Sequence, residues 1–260
     1  MWGSVVALGV TQGFTEFLPI SSSGHLILLK TLFGVAASGA EWEVALHVGT
    51  LVAVLWIYRA WLRRWVRQLL CRDRDAWRLF AALAVASLPA GAVGMLLGRW
   101  IEQFFLLPAA ALGWCCTAML LWAAPVGERA AGRPLSEITL WQAWLIGLAQ
   151  ALSLWPGLSR SGSTIAMARI LGIDGESAAQ FSFLMAIPAV IGAALFEWPL
   201  SLTRNGVGIM LSVGVLVAAI SGAIAIQWVR KLMRHPWAWR GFSVYVAGLA
   251  IVSLWFGGAR

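Results

Sequence analysis

Charged residues are scarce in this chain of 260 residues: they make up 12% of it, with 11 Asp and Glu against 19 Lys and Arg. Soluble domains contain about 25% charged residues and about 45–50% apolar ones, whereas 60% of this chain is hydrophobic. The low charge content excludes a soluble enzyme and a nucleic-acid-binding domain. We expect an integral membrane protein whose basic residues mark its cytoplasmic loops and bind no nucleic acid.

Cysteine is also rare, and a cleavable leader is not predicted. The three cysteines are too few for a disulfide framework. The N-terminus lacks the basic region and the small-residue cleavage pattern of a signal peptide, so we expect residue 1 to belong to the mature protein.

Long apolar runs, in contrast, are abundant. Six apolar stretches are each long enough for a bilayer-spanning helix, which needs ~20 residues. The sequence therefore predicts an all-α polytopic membrane protein with six transmembrane helices. The stretches are residues 43–62, 79–98, 107–126, 177–197, 207–229 and 241–258.

Two segments, residues 9–27 and 147–165, resemble each other after a shift of 138 residues. Both have the pattern of an apolar helix, a break that contains proline, a loop of serine and glycine, and a new helix start. Such self-similarity is typical of internal repeats. Gly9, Gln12, Ser21, Ser23 and Gly24 fall on Gly147, Gln150, Ser159, Ser161 and Gly162.

Each repeated segment precedes three of the apolar stretches, and an odd number of crossings inverts the second copy in the membrane. We predict a single membrane domain, residues 1–260, made of two inverted repeats, about 1–126 and about 138–260. Each repeat should begin with a re-entrant helical hairpin. In the alternative interpretation, residues 138–159 form an ordinary span and the chain crosses the membrane seven or eight times.

The distribution of basic residues tests this topology. The predicted repeats bring the connections 59–78, 127–137 and 230–240 to one face, which should be cytoplasmic because it holds most of the Lys and Arg residues. Both termini and the loops 99–106 and 199–206 should then lie outside. The basic face holds Arg59, Arg63, Arg64, Arg67, Arg72, Arg74, Arg78, Arg129, Arg133, Arg230, Lys231, Arg234 and Arg240, whereas the other holds Arg99, Arg204, Arg260 and at most Lys30.

The first repeated segment contains a carboxylate, Glu16, inside an apolar run. An ionised carboxylate in the bilayer costs about 2.5–3.5 kcal/mol, so Glu16 should face a polar cavity or a partner. Gln12 lies one helical turn earlier on the same face. Pro19 then breaks the helix, and residues 21–24 supply hydroxyls and free N–H groups before His25. A helix start of this composition favours phosphate binding.

The second segment adds an arginine, Arg160, among hydroxyl residues. An arginine at this depth needs an acidic partner or a phosphate, and its planar fork fits phosphate oxygens. Inverted symmetry should bring Arg160 toward Glu16 and His25. Alternatively, Arg160 and Glu16 could pair merely to hold the two halves together. The neighbours of Arg160 are Ser159, Ser161, Gly162, Ser163 and Thr164.

An acid, an imidazole, hydroxyls and a guanidinium around one cavity are the groups needed to split a phosphoanhydride. A cavity inside the bilayer favours a lipid-borne substrate. The main alternative is a transporter, or flippase, of polyprenyl phosphate, which would need phosphate recognition but no nucleophile. A phosphatidic-acid-type phosphatase is disfavoured, because residues 160–174 lack the histidine that should follow its Ser-Arg run.

At the two repeated segments the sequence resembles the undecaprenyl diphosphate phosphatase family, also called the bacitracin-resistance family. Its first signature is matched by Gln12, Glu16, Pro19, Ser21, Ser22, Gly24 and His25. Its second signature is matched by Pro156, Gly157, Ser159, Arg160, Ser161 and Thr164. The resemblance extends through residues 45–50 and 180–184.

The resemblance implies an enzyme of the bacterial inner membrane. It would hydrolyse undecaprenyl diphosphate to undecaprenyl phosphate and inorganic phosphate, and so recycle the lipid carrier of cell-envelope synthesis. A divalent cation, Mg or Ca, would assist, and the site would face the periplasm or the outside. The implied partners are the lipid substrate and the membrane, and a homodimer is left open.

At the matching positions, the resemblance implies that Glu16 binds metal or serves as a base and that Arg160 binds the diphosphate. The nucleophile is Ser22 or His25, and we favour Ser22 with His25 assisting. The further substrate-binding residues are Gln12, Ser21, Ser23, Ser159, Ser161, Gly162 and Thr164.

Gln12 matches the signature in its amide variant, at a position that is often glutamate in the family. A two-carboxylate metal site in that helix is therefore absent, and the cation would bind Glu16 and the phosphates of the substrate. We interpret His47 as a core histidine near the edge of the cavity. Asp174 and Glu176 are expected to cap the next helix.

Overall fold

The computed structural model describes residues 2–33, 40–125, 132–197, 207–233 and 235–258. This part of the chain is all-helical, as predicted, and its only β-structure is an isolated bridge between Arg133 and Ile173. A short 3-10 helix spans Leu135–Glu137. The α-helices are α1 (Trp2–Phe17), α2 (Ser22–Phe33), α3 (Ala40–Ile57), α4 (Arg59–Leu70), α5 (Arg74–Glu102), α6 (Leu107–Ala123), α7 (Leu140–Leu152), α8 (Arg160–Ile170), α9 (Gly175–Glu197), α10 (Val207–Leu232) and α11 (Pro236–Gly258).

Some residues used in the predicted topology lie outside the described residues. They are residue 1, the loop 199–206 with Arg204, and Arg129, Arg234 and Arg260.

Several helices are suited to cross a membrane. Four single helices are long and apolar enough for this. A bent pair of helices, Trp42–Ile57 and Arg59–Leu70, whose axes differ by 74°, is a fifth candidate. Helix α6, predicted as a span, is apolar but has 17 residues. The chain is thus a multi-pass membrane protein with four to five candidate spans in its described part, where six were predicted. The candidates that consist of a single helix are Arg74–Glu102, Gly175–Leu195, Gly208–Leu232 and Trp237–Trp255.

The first predicted span, residues 43–62, ends early, because α3 stops at Ile57. Helix α4 follows at a sharp angle and has no buried residue. Its arginines lie outside the protein core, and the Arg59 guanidinium lies 4.4 Å from the ring centroid of Trp56. A helix with a strongly basic face is typical of a membrane surface. We therefore attribute the early end of the span to the arginines that follow it.

Two helical hairpins, α1–α2 and α7–α8, interrupt the pattern of long helices, and each turns at a residue with left-handed backbone. The φ angle is 70° at Ser21 and 80° at Gly157. A Cβ at Gly157 would lie 1.9 Å from the Ala110 carbonyl oxygen, so no other residue fits there. The breaks predicted from the sequence are therefore real turns between short helices.

The first helix of each hairpin packs against a distant long helix: α1 on α10, and α7 on α5. Glycines permit both contacts. A Cβ at Gly9 would lie 2.9 Å from the Gly214 carbonyl oxygen, and one at Gly147 would lie 2.4 Å from that of Ala86. Such close backbone approach is typical of helix packing in membranes. Gly9 and Gly147 are also equivalent positions of the predicted repeat.

Helix α6 supports the turns of both hairpins. The indole Nε1 of Trp114 donates to the Ile20 carbonyl oxygen at 3.0 Å. One turn later, the Thr117 hydroxyl donates to the Gly157 carbonyl oxygen at 3.2 Å. Because one helix binds both turns, the tips of the hairpins lie side by side.

The start of α9 lies beside the connection that precedes α7 and the end of α10. As predicted, Asp174 caps α9, accepting from the Ser177 amide at 2.9 Å. The Leu135 amide donates to the Ser177 hydroxyl at 3.0 Å. Glu176 pairs with Arg230 at 2.7 Å. Two of the connections predicted to share a basic face therefore meet at the same end of the molecule.

Candidate active site

Glu16, in the last turn of α1, lies at the centre of the site, and its side chain is only 6% exposed. Its Oε1 accepts a hydrogen bond from Arg160 Nη2 at 2.5 Å. Its Oε2 accepts from the Ser22 hydroxyl at 2.7 Å and from Gln12 Nε2 at 3.1 Å. The predicted approach of Arg160 to Glu16 is confirmed, and both hairpins meet on one carboxylate.

Ser22 and Arg160 are the first residues of α2 and α8, and they are equivalent positions of the repeated segments. Each helix is preceded by a serine, Ser21 or Ser159, whose hydroxyl accepts from the glycine amide three residues later, at 3.3 and 3.0 Å. Free N–H groups and the positive dipole end favour anions at a helix start. Two such starts therefore converge on Glu16.

Arg160 is partly exposed, at 17% of its side chain. Besides Glu16 it contacts α9, where Nη1 donates to the Ser182 carbonyl oxygen at 3.1 Å. A guanidinium has five N–H donors, and these contacts use two nitrogens. The remaining donors are available to an anion.

The hydroxyls around Arg160 face the protein interior. Ser159, Ser161 and Thr164 are at most 1% exposed. Ser161 donates to the Leu18 carbonyl oxygen at 3.0 Å, and the Thr164 hydroxyl lies 2.7 Å from that of Ser182. Their predicted contact with a diphosphate remains a prediction, whereas their internal bonds hold the second hairpin against its neighbours.

On the first hairpin, by contrast, Ser22, Ser23 and His25 are all partly exposed. Ser21 is buried, and its hydroxyl lies 3.2 Å from that of Ser23. In the second hairpin, Gly162 is buried in the first turn of α8. Of these hairpin residues, Ser22, Ser23, His25 and Arg160 are therefore the accessible polar groups.

His25 makes two hydrogen bonds through its ring, and neither involves Ser22. Its Nδ1 lies 2.7 Å from the Ser21 carbonyl oxygen, and its Nε2 lies 2.9 Å from the hydroxyl of Tyr245 on α11. Ser22 donates to Glu16 instead. The structure therefore gives Glu16, and not His25, the position of a base for Ser22. Tyr245 was not singled out from the sequence.

His47 was interpreted as a core histidine, and its placement differs. Its side chain is 32% exposed, and its Nε2 lies 3.4 Å from Glu16 Oε2. The Nδ1 atom donates to the Glu43 carbonyl oxygen at 2.7 Å. His47 thus belongs to the site. The reason is that α3 packs against α1, which periodicity along the chain does not reveal.

Whether the site could bind a divalent cation depends on the oxygen atoms that it offers as ligands. No group of three or more His, Cys, Asp or Glu able to hold a metal occurs among the described residues. The available ligands are the carboxylate of Glu16 and Oε1 of Gln12, which is buried and has no hydrogen-bond partner. This set fits a cation such as Mg²⁺, which keeps waters and takes substrate phosphates as ligands.

Residues 5–252 match the family model described as Bacitracin resistance protein BacA. The chain belongs to the bacitracin resistance protein family. Similar proteins are named undecaprenyl-diphosphatase in Thermomicrobium roseum (40% identical over 98% of this chain and 97% of the relative) and in Gemmatimonas aurantiaca (37% identical over 97% and 96%). Another from Desulfatibacillum aliphaticivorans is 36% identical over 92% of each chain. The predicted family membership is confirmed.

The ion pair at the buried carboxylate predicts strong coupling between Glu16 and Arg160 in thermal unfolding. Arg160→Gln leaves the buried Glu16 carboxylate without its guanidinium, which costs about 3–5 kcal/mol, and Glu16→Gln leaves the partly exposed Arg160 without its carboxylate. The double variant removes both charges, so its unfolding temperature in detergent should fall by much less than the sum of the two single losses. The measurement is tryptophan fluorescence on heating.

Lys30 and Glu43 provide the matched control, because they form a 2.5 Å ion pair whose side chains are each 25% exposed. Their variants to Gln should show weaker coupling, because both side chains of this pair are more exposed than Glu16 and Arg160. Additive losses for Glu16 and Arg160 would contradict a mutually dependent pair.

Proposed function

We propose that this membrane enzyme hydrolyses undecaprenyl diphosphate to undecaprenyl phosphate and inorganic phosphate, and so recycles the lipid carrier of cell-envelope synthesis. The observation that best supports this function is the position of Glu16, which accepts hydrogen bonds from Ser22 and Arg160. One site thus contains the Ser22 hydroxyl, a carboxylate that can accept its proton, and a guanidinium that can bind phosphate. Relatives along nearly the whole chain are named for the same activity.

In the proposed reaction the Ser22 oxygen attacks the terminal phosphorus of the diphosphate while its proton moves to Glu16. The bond from that phosphorus to the bridging oxygen breaks, and undecaprenyl phosphate leaves as a stable anion. Water then attacks the phosphoserine, and Glu16 returns its proton to the Ser22 oxygen. Both protons of the water leave with inorganic phosphate, as H2PO4⁻, so the enzyme is restored.

Arg160 stabilises the negative charge on the phosphoryl oxygens during both steps. The two helix starts at Ser22 and Arg160 add backbone N–H groups and the positive ends of their dipoles. A divalent cation held by Glu16, with the Gln12 amide oxygen beside it, would further neutralise the diphosphate. The cation is Mg or Ca in this proposal.

A polyprenyl-phosphate transporter is the second candidate. It would use the same helix starts and Arg160 to bind the headgroup, since a carrier needs recognition but no nucleophile. The 2.7 Å bond from the Ser22 hydroxyl to Glu16 favours hydrolysis, because it serves proton transfer and is not needed for transport.

Two inverted repeats, about 1–126 and about 138–260, are supported by reciprocal contacts between the hairpins. The Ser23 hydroxyl of the first hairpin accepts from the Gly157 amide of the second at 3.4 Å. Its counterpart, Ser161, donates to the Leu18 carbonyl oxygen of the first at 3.0 Å. Together with the matching contacts α1 on α10 and α7 on α5, this exchange is what a two-fold relation produces.

The proposed topology has six crossing helices, α3, α5, α6, α9, α10 and α11, and two re-entrant hairpins. With its 17 residues, α6 reaches the lower end of the range for a span, about 17–25 residues. The basic residues of α4 and of the end of α10 favour the cytoplasmic side. Both termini and the site would then face the periplasm or outside of a bacterial inner membrane.

The purified chain in detergent is expected to release inorganic phosphate from undecaprenyl diphosphate. Ser22→Ala should abolish release, because it removes the attacking oxygen. Glu16→Gln should lower kcat by about 10²–10⁴-fold through loss of the base, and Arg160→Gln by about 10²–10³-fold. Ser212→Ala is the matched control: this exposed serine of α10 bonds only within its helix, and its loss should leave kcat unchanged.

The same variants distinguish the transporter. Wild-type protein that binds the lipid diphosphate but releases no phosphate would contradict the enzyme. If Ser22→Ala then moved polyprenyl phosphate across proteoliposomes as fast as the wild type, the transporter would be favoured.

A cation requirement is expected as well. EDTA should abolish phosphate release, and Mg²⁺ or Ca²⁺ should restore it. Gln12→Glu adds a second carboxylate, so it should lower the cation concentration for half-maximal release about tenfold, or ~1.4 kcal/mol. The cation should also raise its unfolding temperature more than that of the wild type.

Gln150→Glu is the control for this substitution, since Gln150 is the repeat counterpart of Gln12 and is also buried, with no hydrogen-bond partner for either amide atom. It should give no gain in cation affinity. Full activity in EDTA would contradict the cation proposal while leaving the roles of Ser22 and Glu16 intact.

A further inference from the structure

We propose that Tyr245 is a positioning residue. Its hydroxyl fixes the tautomer and orientation of the His25 ring. The His25 ring then stabilises the backbone turn at Ser21, which orients the Ser22 hydroxyl toward Glu16. The inference rests on the proposed phosphatase function and deepens it. Tyr245 lies on α11, in the second half of the chain, so the contact joins that half to the hairpin that bears the proposed nucleophile.

The hydrogen bonds of His25 define its tautomer. A carbonyl oxygen only accepts, so Nδ1, which lies 2.7 Å from the Ser21 carbonyl oxygen, carries a proton. In the neutral ring Nε2 is then the acceptor, and the Tyr245 hydroxyl donates to it at 2.9 Å. Both nitrogens are thus occupied by protein groups, and His25 offers no free nitrogen to a reacting phosphate.

Ring contacts hold the same orientation. The rings of His25 and Tyr245 are stacked, with centroids 5.8 Å apart and planes 15° apart. The edge contact with Trp114 has centroids 5.6 Å apart and an angle of 83°. Trp114 itself donates to the Ile20 carbonyl oxygen, next to the turn. His25 is therefore fixed by two aromatic residues on two different helices.

The turn that His25 holds is one that needs support. Ser21 has a φ of 70°, a left-handed conformation that residues with a side chain rarely adopt. Its carbonyl oxygen accepts from His25, and its hydroxyl accepts from the Gly24 amide at 3.3 Å. Ser22 follows directly, so the direction of its hydroxyl toward Glu16 depends on this turn.

Loss of the Tyr245 hydroxyl would free Nε2. The His25 ring could then rotate or move its proton to Nε2, and the Ser21 carbonyl oxygen would lose its side-chain donor. The turn would relax, and the Ser22 hydroxyl would spend less time aligned with Glu16. Because Arg160 makes no described contact with Tyr245 or His25, diphosphate binding should change little. The effect should therefore fall on kcat.

The test begins with Tyr245→Phe, which keeps the ring and its stacking and removes only the hydroxyl. We expect kcat for phosphate release to fall about three- to tenfold, as for loss of one hydrogen bond, while KM changes less than twofold. Tyr58→Phe is the matched control, because Tyr58 is the only other tyrosine and its buried hydroxyl has no hydrogen-bond partner among the described residues. It should leave kcat and KM as they are.

A second substitution tests whether Tyr245 acts through His25. Asparagine at residue 25 can still donate to the Ser21 carbonyl oxygen but lacks an atom at the position of Nε2. In the His25→Asn background, Tyr245→Phe should cause no further loss of kcat. Independent losses that multiply in the double variant would overturn the positioning role.

Nitrogen-15 NMR of protein labelled at histidine gives a readout that does not depend on activity. The chain has three histidines, and His25→Asn identifies the signal of residue 25. The wild type should show the Nδ1-protonated tautomer at this residue, and Tyr245→Phe should shift the signal toward a mixture of tautomers. An unchanged signal in Tyr245→Phe would overturn this inference, whereas absence of phosphate release by the wild type would overturn the proposed function.

Discussion

A carboxylate within apolar helices must be paired, and the pairing of Glu16 is the constraint on which the rest of this structure depends. The ionised group is costly in the bilayer unless partners replace water. Here the partners come from both halves of the chain: Ser22 and Gln12 from the first hairpin, and Arg160 from the second. The two hairpins therefore have to meet if this carboxylate is to be paired.

The same pairing gives the site its proposed chemistry. Two helix starts, which favour phosphate, meet at Glu16, and one of them presents a hydroxyl and the other a guanidinium. The two copies of the repeated segment thus supply two different groups at equivalent positions, Ser22 and Arg160. Buried hydroxyls such as Thr164 bond to the backbone, whereas Ser22, Ser23, His25 and Arg160 stay partly exposed.

The sequence predicted the helical class and the two hairpins, because apolar length and the serine-glycine breaks are local features of the chain. It also predicted the meeting of Glu16 with Arg160, because a buried charge needs a partner and the repeat places both residues at equivalent hairpins. It did not predict His47 or Tyr245 at the site. Both lie in apolar runs, and their role depends on how α3 and α11 pack. The end of the first predicted span at Ile57 was also missed, since Ala60, Trp61 and Leu62 extend the apolar stretch past Arg59, although the helix bends before that arginine.

The most direct test of the central claim is to trap the phosphorylated protein. Substrate labelled in its terminal phosphate would be mixed with the enzyme, quenched in acid within one turnover, and the labelled peptide identified. If Ser22 attacks with Glu16 as base, an acid-stable phosphoserine should appear at residue 22 and be absent in Ser22→Ala. An acid-labile label on His25 would contradict the account, as would rapid phosphate release by Ser22→Ala.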